Sequence, residues 1–505
     1  MCGIAGIVDL RERRPAAREA LERMLGALTH RGPDEFGLYR DNRAGLAHAR
    51  LSIIDLAAGQ QPMCNEDGSL WVVFNGEIFN YLELRDELEA RGHQFRTRSD
   101  TEVIVHGWEE WGADALARMN GQWAIALWDA RRRRLALARD RLGVRPLYYA
   151  EHDGRVVFAS EVKALFAGEP ELPREIDPVG IDQTFTLWSV VPPRTVFRGV
   201  SELEPGHVRI YDGDGAAHDS AYWTPSYPEE GRGEYAGSIE EASEAVGAAL
   251  EKATSLRMLR SDVPVGSYLS GGLDSSLVAA LGLAAKGERF HTFAIRFEDA
   301  EYDETGFQRL MVERLGSEHH ELVATRDEIA QVFPDVILHT ERPILRTAPA
   351  PLYLLSRMVR DIGIKVVLTG EGADEMFGGY DLFREGVVRR YWARAPGSRL
   401  RPRLLERLYP YLARSPVSQQ ALARQFFGRD LHNWREPGFA HSTRWQTTSA
   451  LKRLLTPEMR EGAAGTGAVA DLMATLPGAF PRWSYLAQDQ YLELRTLLAG
   501  YLLSS

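Results

Sequence analysis

The second residue of the chain is a cysteine, in the sequence Met1-Cys2-Gly3-Ile4-Ala5-Gly6. A small residue at this position normally permits removal of the initiator methionine, so we expect Cys2 to carry both a thiol and a free α-amine. A chain α-amine has an ordinary pKa of about 7.7–8.0, so part of it is unprotonated at neutral pH and accepts a thiol proton through a water. Cys2 is therefore a candidate nucleophile; its occurrence by chance is the alternative.

Charged or glycine-bearing segments lie beside apolar runs throughout the first 165 residues. They cover residues 30–34, 50–55, 75–80, 99–102 and 139–143. Charges in such places are costly unless they face a ligand or each other. An arginine with two carboxylates suits a zwitterionic amino acid. An amide donor beside an unhindered glycine N–H, as in Asn75-Gly76, suits the oxyanion that forms when a thiolate attacks an amide. For any single residue, a structural ion pair is the alternative.

A second kind of chemistry is indicated by Ser-Gly-Gly-Leu-Asp-Ser-Ser at 270–276, which follows an apolar run ending at Leu269 and opens a helical pattern. Paired glycines and small hydroxyls at a strand-to-helix turn let backbone N–H groups and the helix dipole face an anion. The segment lacks the lysine of a Walker loop, and no GxGxxG motif precedes it. It predicts a phosphate cradle; an ordinary glycine-rich turn with helix-capping Ser and Asp is the alternative.

A third segment, Leu-Thr-Gly-Glu-Gly-Ala-Asp-Glu-Met-Phe-Gly-Gly-Tyr at 368–380, also follows an apolar run. Its four glycines and three carboxylates leave little to pack in a core. Such a loop suits close approach of a substrate and coordination of Mg²⁺ by carboxylate and phosphate oxygens.

Two kinds of domain must position these residues. Short apolar runs separated by Gly, Asn and Asp predict a strand-rich α+β domain at 1–210, and turn-forming residues predict a linker at 211–240. From 241 to 505, apolar runs alternate with helical patterns, which predicts an α/β domain with a parallel sheet. The predicted strands are 71–74, 123–128, 156–158, 263–269, 292–297 and 364–369, and the predicted helices are 239–258, 276–283 and 353–360.

The overall composition excludes some classes of protein. A chain of 505 residues predicts two or three domains, and a net charge of -11 argues against a nucleic-acid binder. There is no apolar stretch of about 20 residues and no signal sequence, so we expect no membrane partner and a cytoplasmic, reduced protein. The only cysteine besides Cys2 is Cys64, to which we assign no role. Residues 131–134 predict a solvated turn.

The motifs resemble those of the glutamine-hydrolysing asparagine synthetase family, in which an N-terminal-nucleophile glutaminase domain precedes an ATP-pyrophosphatase-type synthetase domain. The resemblance implies stacked antiparallel sheets between helices in the first domain. It also implies that Cys2 is the nucleophile and that Asn75 and Gly76 form the oxyanion hole. The implied glutamine-binding residues are Arg50, Ile53, Glu77 and Asp100.

In the second domain the resemblance implies a site where a carboxylic acid is adenylylated, with ATP and Mg²⁺ as cofactors and Glu371 assisting acyl-adenylate formation or its attack by ammonia. The implied Mg²⁺ ligands are Asp274 and Asp374. The implied ATP- and pyrophosphate-binding residues are Leu269, Ser270, Gly271, Gly272, Asp274, Ser275, Ile295, Thr369 and Gly370. The partners would be L-glutamine and an acceptor acid, either aspartate or another, in a possible homodimer.

Two departures from the family pattern bear on the acceptor and on the site. Residues 341–347 read Glu-Arg-Pro-Ile-Leu-Arg-Thr, so Arg342 and Arg346 stand in a stretch where the family frequently has acids. The ammonium of aspartate would lose partners there, and we therefore hypothesise a different acid, such as a natural-product carboxylate. Resemblance is strong to about residue 380 and thin beyond it. Family members continue past residue 505 with a lysine-bearing segment, and we expect that tail to be missing from the sequence.

Other classes account for less of the sequence. A free-standing glutaminase would leave the two glycine-rich loops without a purpose, and a ligase fed by free ammonia would not need Cys2. A non-catalytic interaction protein would need neither Cys2 nor the phosphate cradle. A tailoring enzyme that uses the same scaffold to form an amide, a hydroxamate or a ring remains an open alternative.

Overall fold

The chain from Gly3 to Ala221 is a series of strands and short helices. The computed structural model describes residues 1–297, 305–409, 417–465 and 467–503. In chain order, the elements of this first part are β1 (Gly3–Asp9), α1 (Arg18–Leu28), β2 (Glu35–Arg40), β3 (Ala44–Arg50), β4 (Met63–Cys64), β5 (Leu70–Ile78), α2 (Tyr81–Ala90), α3 (Glu102–Trp111), α4 (Ala115–Arg118), β6 (Gly121–Asp129), β7 (Arg134–Arg139), β8 (Tyr148–His152), β9 (Arg155–Ala159), α5 (Val162–Gly168), α6 (Pro178–Leu187), β10 (Ser201–Glu202), β11 (His207–Tyr211) and β12 (Ala217–Ala221).

These strands form two antiparallel sheets, in the orders β10-β8-β9-β1-β3-β2 and β12-β11-β7-β6-β5-β4. Successive side chains of a strand point to opposite faces, and β1 follows this rule. Ile4 and Val8 enter the core between the sheets, whereas Ala5 and Ile7 pack beneath α1 and α5. The outer face of the second sheet packs against α2 and α3. This helix–sheet–sheet–helix sandwich confirms the predicted α+β architecture.

The second sheet extends further along the chain than the composition indicated. β11 pairs with β7, and β12 pairs with β11. The predicted boundary at residue 210 therefore falls inside β11, and the first part of the predicted 211–240 linker is a hairpin. Its Gly- and Asp-rich tip, residues 212–216, has the composition of a linker because tight hairpin turns select the same residue types.

The second part of the chain begins with a long helix and continues as an α/β unit. Its elements are α7 (Ile239–Leu259), β13 (Val265–Tyr268), α8 (Leu273–Lys286), β14 (His291–Phe297), α9 (Thr305–Leu315), β15 (Glu318–Ala324), α10 (Arg326–Thr340), α11 (Pro349–Ile362), β16 (Val366–Leu368), α12 (Ala373–Phe377), α13 (Asp381–Ala393), α14 (Leu405–Leu408), α15 (Val417–Phe427), α16 (Ser442–Ser449), α17 (Pro457–Gly462), α18 (Ala468–Ala474) and α19 (Tyr485–Glu493). A π-helix follows at Leu494–Leu502, and short 3₁₀ segments lie at Gly112–Asp114, Arg401–Leu404, Leu431–Asn433, Ala450–Leu454 and Phe480–Arg482.

Four strands of this part form a sheet in the order β15-β14-β13-β16, and every pairing in it is parallel. This confirms the predicted α/β class. Ser267 of β13 lies opposite Leu368 of β16, so the loops after these two strands leave the same edge of the sheet side by side. In open parallel sheets, ligands bind in the crevice outside the carboxyl ends of the strands.

Polar contacts join the two parts. The Asp55 amide donates to the Asp262 carboxylate over 2.7 Å, and the Lys365 ammonium lies 2.6 Å from Asp34. The Glu341 carboxylate accepts hydrogen bonds from the first two amides of α5, those of Val162 and Lys163, each over 2.6 Å. It therefore caps a helix of the other part, where negative charge is favoured by the helix dipole.

Within the four described ranges, no helix combines the length and the apolar content that crossing a bilayer requires.

A buried ion pair ties the helices after the sheet together. The Arg390 guanidinium in α13 binds the Asp489 carboxylate in α19 through two nitrogens, at 2.8 and 3.2 Å. Their side chains are only 8% and 2% exposed. Removing one partner of such a pair leaves the other charge buried without compensation.

We expect Asp489→Ala to lower the free energy of unfolding by about 3–5 kcal/mol, because the Arg390 charge stays buried. The matched control is Asp381→Ala, which removes the partner of Arg384 from an exposed pair and should cost less than about 1 kcal/mol. Urea unfolding followed by circular dichroism compares the two variants. Equal losses would contradict a special role for the buried pair.

Candidate functional site

Cys2 lies at the start of β1, directly beside the end of β3. Gly3 pairs with Ala49, and the Cys2 Sγ lies 3.4 Å from the Leu51 amide nitrogen and 3.7 Å from the Leu51 carbonyl oxygen. Burial raises the pKa of the Cys2 thiol above its ordinary value. The thiol is therefore neutral at physiological pH and needs a base before it can act as a nucleophile.

The chain amine can supply such a base; it belongs to Met1 in this structure, and it would belong to Cys2 itself after the expected removal of Met1. Met1 is 46% exposed as a residue, but burial of its amino group lowers the pKa of that amine to about 5. An amine with this pKa is largely unprotonated at neutral pH.

Asn75 and Gly76 lie in β5, in the opposite sheet. Asn75 is completely buried, yet its amide oxygen and nitrogen have no hydrogen-bond partner among the described residues. Buried amides are normally paired, so this side chain is free to bind a ligand. A Cβ on Gly76 would lie 2.2 Å from the Gln122 carbonyl oxygen, so no other residue fits at that position.

His48 joins the strand next to Cys2 to the strand that carries Asn75. Its Nε2 donates to the Phe74 carbonyl over 3.1 Å, and the side chain is 1% exposed. Burial lowers the pKa of His48 to about 3, so the ring is neutral. No local sequence pattern marks His48, because its role depends on the distance between two sheets.

The two carboxylates predicted to bind glutamine lie together, close to Cys2. The Asp100 carboxylate accepts a hydrogen bond from the Ile78 amide over 3.0 Å. Burial, and then the charge of Glu77, raise the pKa of Asp100 to about 7. Burial also raises the pKa of Glu77. Two buried carboxylates that repel each other form a site that a cation would stabilise.

The other two predicted glutamine-binding residues have neighbours within the protein. The Arg50 guanidinium binds Glu35 at 2.7 Å and donates to the carbonyls of Ile54 and Asp55, at 3.1 and 2.7 Å. The Ile53 carbonyl accepts the amide of Asp262 over 3.0 Å. Arg50 is thus the last residue of β3, and Ile53 lies in the loop after it, which borders Cys2.

Two further arginines, Arg31 and Arg145, border this site. The Arg31 Nε donates to the Cys2 carbonyl over 3.0 Å, and its Nη1 lies 2.8 Å from the Glu161 carboxylate. Burial lowers the pKa of Arg145, while the charges of Glu77 and Cys2 raise it. The only sequence signal for Arg145 is its position just after the charged segment 139–143.

The phosphate cradle predicted from sequence lies at the carboxyl end of β13. Gly271 has φ of 86°, a conformation that glycine adopts without strain. A Cβ there would lie 2.9 Å from the Gln308 amide nitrogen. The Ser270 and Ser275 hydroxyls lie 2.9 Å apart, and α8 begins at Leu273, so its N-terminal amides face the turn.

The acidic loop after β16 faces this cradle. A Cβ on Gly370 would lie 2.9 Å from the Cβ of Asp274. Burial raises the pKa of Glu371, and the charges of Asp374 and Asp274 raise it further. Burial and Asp274 likewise raise the pKa of Asp374. A site in which the Asp274 carboxylate raises the pKa of two neighbouring carboxyls fits a divalent cation, which would remove the repulsion between them.

The two loops border a cavity of about 560 Å³. Its lining includes every predicted ATP-site residue except Gly271: Leu269, Ser270, Gly272, Asp274, Ser275, Ile295, Thr369, Gly370, Glu371 and Asp374. Phe293, Gln308, Glu375 and Tyr380 also line it. The Gln308 Nε2 donates to the Ile295 carbonyl over 3.3 Å. Gln308 lies in α9, outside both glycine-rich motifs, so no local pattern indicated it.

The unusual arginines of 341–347 have different surroundings. Arg342 donates to the Gly500 carbonyl over 2.7 Å and to the Tyr148 hydroxyl over 3.0 Å, so it joins the two parts of the chain. The Arg346 guanidinium lies 4.0 Å from the Trp188 ring centre. Burial lowers the pKa of Arg346, whereas nearby Tyr501 and Tyr380 raise it. Arg346 therefore lies near Tyr380, which lines the cavity.

Two family models match consecutive parts of the chain. Residues 1–223 match the family model described as a glutamine amidotransferase domain, and residues 245–505 match the one described as asparagine synthase. The chain is 34% identical over 409 residues to glutamine-hydrolysing asparagine synthetase 1 of Bacillus subtilis, covering 78% of this chain and 61% of that protein. It is 33% identical over 420 residues to asparagine synthetase 3 of the same organism, covering 79% and 67%.

Another relative carries a different name. The chain is 36% identical over 388 residues to the amidase chyE of Penicillium rubens, covering 73% of this chain and 56% of that protein. It thus spans less than two thirds of the length of chyE and of the first Bacillus relative. The two family models match consecutive parts of the chain, in the order of the two sites described above. On this evidence, the chain belongs to the glutamine-hydrolysing asparagine synthetase family.

Proposed function

We propose that this chain is a glutamine-dependent amidotransferase that uses ATP to adenylylate a carboxylic acid and converts it to an amide. The observation that carries the proposal is the presence, in one chain, of Cys2 at the start of β1 in one sheet with the unpaired Asn75 amide in the other, and of a glycine-rich turn whose Asp274 lies close to Glu371 and Asp374. We further propose that a glutaminase domain ends at β12 and that a synthetase domain begins at α7.

In the glutaminase site, after removal of Met1, the α-amine of Cys2 accepts the thiol proton and later returns it to the leaving nitrogen, while the Cys2 sulfur attacks the amide carbon of glutamine. The Asn75 side chain and the Gly76 N–H stabilise the oxyanion. Ammonia leaves, and water hydrolyses the thioester to release glutamate and restore the thiol. Glu77 and Asp100 bind the substrate ammonium, while Arg50, with Arg145 as a second guanidinium, binds its carboxylate. The loop that contains Ile53 forms one wall of the site.

In the synthetase site, an oxygen of the acceptor carboxylate attacks the α-phosphorus of ATP, and pyrophosphate leaves. The nitrogen of ammonia then attacks the acyl carbon, AMP leaves, and the surplus proton is lost to a base. Glu371 suits this task, since burial and its acidic neighbours raise its proton affinity. Asp274 and Asp374 would hold Mg²⁺, which neutralises phosphate charge when bound. Ser270, Gly271, Gly272 and Ser275 would bind the pyrophosphate part.

We expect Cys2→Ala to abolish amide formation from glutamine while ammonia still supports it, because only the glutaminase half loses its nucleophile. Pyrophosphate release and amide formation are measured with ATP, Mg²⁺ and a panel of carboxylic acids that includes aspartate. Cys64→Ala is the matched control and should behave as the wild type. Glutamine-dependent amide formation by Cys2→Ala would contradict the assignment of the nucleophile.

The raised pKa of Asp100 predicts a pH dependence of glutamine binding. The charged Asp100 carboxylate binds the substrate ammonium, and this negative charge is lost by protonation as pH falls below about 7. We therefore expect the Kd for glutamine of the Cys2→Ala variant to rise as pH falls from 8 to 6, approaching about tenfold per unit below the pKa. Calorimetry measures this Kd. Asp100→Asn should bind more weakly and lose most of the dependence; a Kd that stays constant over this range would contradict the role.

A second candidate function concerns the acceptor. Arg346 places a cation near the cavity-lining Tyr380, which favours an acid that carries negative charge there over the ammonium of aspartate. The alternative we propose is therefore a tailoring amide or hydroxamate synthetase that acts on a non-aspartate acid.

We expect Arg346→Glu to change the relative kcat/KM for aspartate and for the preferred acid by about tenfold or more, because one charge near the substrate is reversed. Arg360→Glu reverses an exposed charge beside Asp361 and is the matched control. The pyrophosphate assay with the acid panel measures both variants. Aspartate as the only acid used by the wild type would exclude this alternative, and the amidotransferase proposal would stand.

A further inference from the structure

A group of histidines and glutamates lies in the first part of the chain, away from both sites described above. Glu66 lies in the turn between β4 and β5, His93 follows α2, and His106 and Glu109 lie in α3. We call these four residues the His93–His106 cluster. One ligand atom from each of Glu66, His93 and His106 lies within 4.8 Å of the other two.

The distances within the cluster suit a small cation. The His106 Nδ1 lies 3.7 Å from a Glu66 oxygen and 3.5 Å from a Glu109 oxygen. The His93 Nδ1 lies 4.0 Å from the same Glu109 oxygen. In a tetrahedral zinc site with bonds of about 2.0–2.2 Å, ligand atoms are about 3.3–3.6 Å apart. Small side-chain movements would therefore bring these four atoms into a tetrahedral shell.

The atoms of these residues that would not bind the metal already face polar partners in the protein. The His106 Nε2 lies 3.6 Å from a Glu102 oxygen, and the His93 Nε2 lies 3.4 Å from a Glu110 oxygen. The Asn65 amide donates to the other Glu109 oxygen over 2.7 Å. A histidine that binds a metal through one nitrogen commonly faces a carboxylate with the other, and ligating carboxylates are hydrogen-bonded in turn.

His106 provides an independent indication of a ligand. The side chain is 1% exposed, and within the described part of the chain neither ring nitrogen has a hydrogen-bond partner. Buried imidazole nitrogens are normally paired. An imidazolium held by the surrounding glutamates is the competing explanation, since Glu102 and Glu109 raise the pKa of His106 against the effect of burial.

The charges that face the cluster favour a cation over an imidazolium alone. Four carboxylates face the cluster, those of Glu66, Glu102, Glu109 and Glu110. Two arginines contact it: Arg91 pairs with the Glu110 carboxylate at 2.9 Å, and Arg96 donates to the Glu66 backbone carbonyl over 2.9 Å. Acids therefore outnumber bases, and a divalent ion would neutralise the excess.

Two other histidine groups lack these properties. In the group of His30, Glu161 and His339, the carboxylate already pairs with Arg31 and Lys163. In the group of His291, Glu318 and His320, the two rings bond to each other, with His291 Nδ1 and His320 Nε2 3.0 Å apart. In the first group both carboxylate oxygens are therefore paired, and in the second each histidine uses one ring nitrogen on the other. In the His93–His106 cluster the Glu66 oxygen that faces His106 accepts the Gln94 backbone amide over 3.2 Å, and its other lone pair can still bind a metal.

We propose that Glu66, His93, His106 and Glu109 bind a divalent transition-metal ion, with Zn²⁺ as the best match. Imidazole and carboxylate ligands in a tetrahedral arrangement suit this ion. The site joins the β4–β5 turn to both ends of the segment 93–106, which contains Asp100. Its role is structural: it fixes the segment that carries a wall of the glutamine pocket. The proposal does not depend on the proposed reaction.

The test uses the full chain with Cys2→Ala and Cys64→Ala, so that thiols cannot bind the metal. After chelator treatment and desalting, Zn²⁺ is titrated in competition with a chromophoric chelator. We expect one tightly bound zinc per chain, a higher melting temperature with zinc, and a Co²⁺ absorption spectrum typical of tetrahedral coordination. His93→Gln should lose all three effects.

His320→Gln is the matched control, because it removes a histidine of another group, and it should bind zinc as the parent does. His106 is deeply buried, and its variants can misfold. Glu109→Gln is therefore the second cluster variant, and its fold is checked by circular dichroism. The proposal is overturned if the parent chain binds no zinc, or if His93→Gln and Glu109→Gln bind it as tightly as the parent.

Discussion

Both sites depend on the contacts that the loop after β3 makes. At its start, the Leu51 amide touches the Cys2 sulfur. Two residues further along, the Ile53 carbonyl accepts the Asp262 amide, and Asp262 immediately precedes the stretch that enters β13. The Ser52 carbonyl accepts a hydrogen bond from Lys365 over 3.3 Å, and Lys365 immediately precedes β16. One short loop thus contacts the nucleophile and also the residues that lead into β13 and β16. The glycine-rich loops follow the opposite ends of these two strands.

This arrangement has a chemical reason. In the reaction that we propose, ammonia released at one site must reach the other before it escapes, and two sites held on one rigid frame keep a constant separation. β13 and β16 are short neighbouring strands of one parallel sheet, so fixing their starting ends also fixes the loops at their other ends. The charges at both sites are similarly arranged: Glu77 raises the pKa of Asp100, and Asp274 raises the pKa of both Glu371 and Asp374. In the function that we propose, a cationic ligand would stabilise each group, an ammonium at one site and a metal ion at the other.

The fold class and most of the candidate site could be predicted from local sequence. The runs 71–74 and 123–128 lie within β5 and β6, and the predicted helix at 239–258 lies within α7, because alternation and helical spacing are local properties. The glycine-rich loops were equally visible. His48, Gln308 and the His93–His106 cluster were not, since each acquires its environment from segments distant in sequence. The β11–β12 hairpin resembled a linker, because turn residues do not distinguish a hairpin tip from a connector.

The Glu341 carboxylate that caps α5 has a consequence for how such enzymes can be recombined. Glu341 is held in a left-handed conformation, with φ of 55°, at the end of α10, and no side chain of the first part caps α5 in its place. A helix of the N-terminal part thus completes its first turn with two oxygen atoms supplied by the C-terminal part. A chimaera that joins this N-terminal part to the C-terminal part of another family member would need an acidic side chain at the equivalent point. Without such a side chain, the interface between the two parts would leave the Val162 and Lys163 amides unpaired, next to the buried Glu161.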